Sequence, residues 1–146
     1  MNKIDNQFVF SATDIVNFIE CEHLTFLDLL HLENPMEKTE DSATAQAAQK
    51  KGLQHEREYA EQLKQQHKSF IDINDKASAL DTKVAETLTA MQKGVEIIYQ
   101  AAFKVDSFIG YADFLRKVED PSNFGNYSYE VLDTKLSKTE KAKFVL

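Results

Sequence analysis

Apolar residues at Ile15, Val16, Phe18, Ile19, Leu24, Leu27 and Leu30 recur at intervals close to three and four, which is the period of one helix face. The spacing predicts a helix from Ser11 to about Leu32, interrupted near Cys21. Ser11 followed by Asp14 resembles a capping box, although Asp is shorter than the usual Glu or Gln. Residues 33–41 contain Pro35 and mixed charge and read as a loop. A second helix is predicted over 43–67, where Ala, Gln, Glu and Lys dominate. On it Leu53, Glu56, Ala60 and Leu63 share one face, and His55, Tyr59 and Gln62 share the next. Gly52 inside this helix costs about 1 kcal/mol relative to Ala. It is either a tolerated defect or a point of close approach.

Phe70 to Ile73 reads as a short strand. A third helix, capped by Ser78 or Asp81, carries Val84, Leu88 and Met91 and stops near Gly94. The pattern then changes to β-branched and aromatic residues. Strands over 96–104, 107–118 and 127–136 are expected to form a three-stranded antiparallel meander. Val105-Asp106 turns the first pair, and residues 119–126, with Pro121 and Gly125, join the second. Ser137-Lys138-Thr139-Glu140 is a second capping box, followed by Ala142, Val145 and Leu146 at helical spacing. The nine residues from Lys138 would span only about 13 Å, too short for an isolated helix. The expectation is therefore a C-terminally truncated α+β fragment, with a helical segment and loop over 1–42 and a partial core over 43–146.

Composition adds limits. With 42% of 146 residues apolar and ten Phe, a packed core is expected rather than disorder. No run approaches the ~20 apolar residues of a spanning helix, and no N-terminal stretch reads as a signal peptide. A single cysteine excludes an intrachain disulfide framework and fits a reducing, cytoplasmic setting. The formal charge of −7 argues against a polyanion partner until its position is considered. Residues 1–49 hold nine acids and two bases, the whole excess, whereas residues 50–146 hold 15 of each. The first stretch reads as a solvated acidic face, with a DNA mimic or docking surface as the alternative. The last is lysine-rich, with Lys135, Lys138, Lys141 and Lys143.

Three positions carry candidate chemistry. Asp113 sits among strand-forming residues in Gly110-Tyr111-Ala112-Asp113-Phe114-Leu115. Asp133 and Lys135 share a face if their strand is regular. Pairing the last two strands about a loop centred near Asn123 sets position 113 opposite position 133, with Cβ atoms about 4.5–5.5 Å apart. Two carboxylates that close repel unless a cation lies between them or one is protonated. Oxygen ligands select a hard ion such as Mg²⁺ or Mn²⁺, and an added lysine suits phosphate-ester hydrolysis. The same residues also fit a plain cross-strand Asp–Lys pair on a solvated face. His55 is a fourth candidate, although a lone histidine on a helix is more often a surface or packing residue. Cys21 alone fits a small buried apolar residue.

Gly52-Leu53-Gln54-His55-Glu56, then Gly110 to Leu115, then Glu130-Val131-Leu132-Asp133-Thr134-Lys135 resemble, in order, the motifs of RecB-like nucleases in the PD-(D/E)XK superfamily. Phe10 to Asn17 and Glu20 to Leu24 resemble the N-terminus of one branch of that family. The resemblance implies a restriction-endonuclease-like core, built from a helix, a meander and a second helix. It implies a Mg²⁺- or Mn²⁺-dependent deoxyribonuclease acting in DNA repair, recombination or defence. His55, Asp113, Asp133 and the Thr134 carbonyl would hold the metal, and Lys135 would be the catalytic lysine. Lys138, Lys141 and Lys143 would contact DNA, and a longer parent would add a helicase or further nuclease domain. Some relatives hold an iron–sulfur cluster, to which Cys21 would contribute one ligand. The family's Gln-x-x-x-Tyr motif and last core strand are missing here. That departure keeps open the alternative of a catalytically inactive fragment acting as a binding or interaction module.

Overall fold

The structure, a computed structural model, describes residues 1–4, 6–37, 39–74 and 79–134. They fall into two compact units. The first runs from residue 1 to residue 41 and includes residues 104–110. It opens with β1 (Asn2–Ile4) and β2 (Gln7–Val9), paired antiparallel with Asn2 opposite Val9. This hairpin was not anticipated, because three-residue strands show too little alternation to register. Phe10 continues it, donating to Ser107 O and accepting from Ile109 N, both at 2.8 Å.

Two helices follow, α1 (Ala12–Glu20) and α2 (Glu22–Glu33), with the break at Cys21 as expected. Cys21 is extended, at φ −162°, which no helical residue adopts. The capping box at Ser11 forms: the Ser11 backbone N–H and hydroxyl each donate to Asp14 Oδ2 at 2.7 Å. Asp14 also accepts from the N-terminal ammonium, 2.7 Å from Oδ1. Burial alone would raise the Asp14 carboxyl, but the ammonium and the two Ser11 donors outweigh it and hold it below its ordinary value of 3.8. A depressed carboxylate stabilises the fold above its unfolded pKa, and that contribution is lost as pH falls through the folded value. Asp14→Asn is therefore expected to lower stability at pH 7 by about 0.5–2 kcal/mol, the usual range for losing a cap. The difference from wild type should shrink as acid titration of the melting temperature passes below pH ~4.

The second unit comprises residues 42–103 and 111–136. Its elements are α3 (Ala43–Gln66), β3 (Phe70–Asp72), α4 (Leu80–Gln92), β4 (Ile97–Val105), β5 (Phe108–Val118) and β6 (Ser128–Leu132). Ser42 caps α3 by accepting from Ala45 N. α4 starts from Ala79, with Asp81 inside its first turn rather than capping it. Ser78 lies outside the described residues. The sheet order is β3-β4-β5-β6, with β3 parallel to β4 and β6 antiparallel to β5. The turn between β4 and β5 is Asp106-Ser107, one residue later than expected, with Asp106 at φ 51°. Asp tolerates this left-handed conformation better than the β-branched Val105 does.

The sheet is buried on both faces. Ile97 and Phe114 pack with Ala60 and Leu63 of α3. Ile98, Ala101 and Leu115 pack with Ala90 of α4. Adjacent Ile97 and Ile98 thus face opposite helices, as strand alternation requires. The coarse expectation of an α+β architecture with a multi-stranded sheet holds. Among the described residues nothing approaches within 4 Å of a Cβ placed on Gly52.

Candidate functional site

The β5–β6 ladder pairs Phe114 with Leu132, Leu115 with Val131 and Arg116 with Glu130. One further step of the same register would set Asp113 opposite Asp133, the juxtaposition expected from the sequence. β6 ends at Leu132, however, and not at residue 136. Asp133 and Thr134 therefore follow the strand, where ladder hydrogen bonds no longer hold their backbone. Asp113 is half-buried and Asp133 exposed. Asp113 and Asp133 each already take part in an interaction within the structure. Thr134 Oγ1 is buried and finds no hydrogen-bond partner among the described residues, which is uncommon for a buried hydroxyl. Lys135, Lys138, Lys141 and Lys143 lie outside the described residues, as does the capping box at Ser137.

His55 lies on α3 and is half-buried. Among the described residues, no three His, Cys, Asp or Glu side chains come together as a metal-binding group. The ladder thus ends one step short of Asp113 and Asp133, and among the described residues His55 does not join them in a metal-binding group. Cys21 is a free, exposed residue between two helices, not a buried apolar filler. No helix among the described residues is long and apolar enough to cross a membrane.

A polar constellation that the sequence reading passed over sits beside His55. Glu56 Oε1 accepts from the Tyr99 hydroxyl at 2.8 Å and from Gln100 Nε2 at 2.6 Å. Neighbouring residues of a regular strand cannot both reach one acceptor, because their side chains point to opposite faces. Gln100 resolves this with a φ of 55°, an irregularity of the β-bulge kind that re-aims a side chain. Its effect is visible in the core: Ile98 and Ala101, three apart, belong to the same cluster. Burial and the bond to Glu56 push the Tyr99 hydroxyl well above the ordinary phenol range, so it remains a donor. The available signal was Glu56 itself, an acid in the otherwise apolar stripe Leu53, Ala60 and Leu63. An acid facing a sheet needs donors from it.

A groove of about 1270 Å³ runs between α3 and α4 across β3. Arg57, Lys64, Asp72, Glu86, Lys93 and Tyr99 are among its lining residues. Neither Asp113 nor Asp133 is among its described lining residues.

No family model, curated protein or solved structure matches the chain. The reading of function therefore rests on the residues and their placement.

Proposed function

We propose that residues 43–134 form a RecB-like, restriction-endonuclease-like core whose acid pair serves binding rather than cleavage. The observation that carries this reading is the end of the β5–β6 ladder. Its register stops at Phe114 and Leu132, one step short of Asp113 and Asp133, and no group of three metal-binding side chains forms among the described residues. Two carboxylates with water in the remaining positions fit a hard cation such as Mg²⁺ or Mn²⁺. When bound, such an ion supplies Lewis-acid and charge-neutralising chemistry. The orphaned Thr134 hydroxyl, one residue from Asp133, is in keeping with a polar ligand there. The partner proposed is DNA, approached through Lys138, Lys141 and Lys143, whose phosphate contacts would make binding fall with salt.

The second reading is the competent Mg²⁺- or Mn²⁺-dependent nuclease. It is favoured by the order of candidate residues along the fold: His55 on α3, Asp113 on β5, then Asp133 and Lys135 after β6. One pair of measurements separates the readings. Melting temperature is followed as Mn²⁺ is added, and a labelled DNA, single- and double-stranded, is incubated with Mg²⁺ or Mn²⁺. A binding site is expected to raise stability by about 2.7 kcal/mol at a hundredfold excess over its Kd. The rise should vanish in Asp113→Ala and in Asp133→Ala, with no cleavage by wild type. Absence of any Mn²⁺ shift would overturn the metal site. Cleavage by wild type, lost in Asp113→Ala and Lys135→Ala, would establish the second reading instead.

A further inference from the structure

The helix α2 reads Glu-His-Leu-Thr-Phe-Leu-Asp-Leu-Leu-His-Leu-Glu, with six of its twelve residues Leu or Phe. A helix with apolar residues on every side is normally a buried helix. Here not one residue of α2 is buried. Phe26 retains 54% of its surface, and Leu24 and Leu27 are also exposed. In α1, which packs against α2, Ile15, Phe18 and Ile19 are exposed as well, Phe18 at 51% and Ile19 at 64%. Soluble proteins rarely leave so many large apolar side chains together in water without a partner for them.

Charge decides what kind of partner fits. Between Lys3 and Lys38 there is no Lys or Arg, and besides the buried, ion-paired Asp14 the helices carry Glu20, Glu22, Asp28 and Glu33. Side-chain charge over residues 1–49 is −7. A second copy would set one such face against another, and like charges at an interface oppose association. Nucleic acid and anionic membrane are repelled for the same reason. A cationic partner is attracted, and its apolar residues would cover the exposed Phe, Leu and Ile. A helix presenting apolar residues at i, i+3, i+4 and i+7 is the form that suits a two-helix surface.

We infer that the exposed apolar and acidic surface of the α1–α2 pair is a docking surface for a basic amphipathic helix of a partner protein. The probe is a synthetic Lys/Leu amphipathic peptide of about 18 residues, long enough to be helical. Its control is the same peptide with Glu in place of Lys. Binding to the full chain is followed by fluorescence anisotropy. The Lys/Leu peptide is expected to bind, and to weaken about tenfold or more from low to high salt. Phe26→Ser and Phe18→Ser should each weaken it about tenfold, as truncation of an aromatic anchor does. Both positions are more than half exposed, so far-UV circular dichroism and melting temperature should stay close to wild type. Charge reversal by Glu22→Lys should weaken the cationic peptide and leave the fold intact. Equal binding of the Glu/Leu peptide, or no binding of either, would overturn the inference. So would sedimentation showing a dimer that Phe26→Ser converts to a monomer, because the face would then belong to a second copy.

Discussion

Phe114→Ala is expected to destabilise the second unit by about 3–5 kcal/mol, the range for deleting a buried aromatic ring. Phe114 is 0% exposed and fills the space between the sheet and α3. Its ring stacks on Tyr99 with centroids 5.0 Å apart and takes the edge of Tyr59 at 5.3 Å. Truncation leaves a cavity and also removes two aromatic pairings, each worth about 0.5–1.5 kcal/mol beyond the area buried. The cost is a large part of the ~5–15 kcal/mol stability of an ordinary domain. Urea unfolding followed by circular dichroism measures it, as a lowered midpoint with an unchanged slope. Phe114→Leu, which keeps most of the volume, should lose much less. A midpoint unchanged in the alanine variant would mean that α3 does not pack on this face. Because Tyr99 also donates to Glu56, the same variant should loosen the Glu56 constellation beside His55.

The second large effect is expected at Thr87, which is 1% exposed on α4. Its hydroxyl donates to Lys83 O at 2.9 Å and accepts from the Ala102 amide at 3.0 Å. That amide lies just past the irregularity at Gln100, beyond the last β3–β4 pair at Asp72 and Tyr99. It bonds to a helix side chain where the strand ladder has stopped. Thr87→Val keeps the shape and removes the acceptor, stranding a buried N–H at a cost of about 1–3 kcal/mol. Thr87→Ser keeps the hydroxyl and should lie closer to wild type. Hydrogen exchange at Ala102 distinguishes the two: protection should fall in the valine variant beyond any global loss. Equal stability of the serine and valine variants would show that the hydroxyl is not what holds β4 at this point.

Much of the fold was legible because the elements are long or strongly punctuated. The interruption at Cys21, the capping box at Ser11 and Asp14, and α3 each carry a local signal that tertiary context did not override. The β5–β6 register was legible too, since the loop centre near Asn123 sets which residues oppose one another. The hairpin β1–β2 was not, because three-residue strands have almost no period. The end of β6 was not, because alternation continues in the sequence after the ladder has stopped.

The candidate site divides in the same way. Asp113 opposite Asp133 is a statement about strand pairing, which counting residues determines. Whether His55 joins them depends on how α3 sits on the sheet, and no spacing along the chain encodes that. Glu56 lies more than 40 residues from Tyr99 and Gln100, and it can hold both because Gln100 adopts a left-handed conformation in β4. The exposed surface of α2 is a similar case. Its composition is that of a core helix, and the sequence by itself predicts that it is helical. Only the tertiary structure decides that nothing in its own unit buries it, because burial depends on which elements are near and not on what a helix is made of.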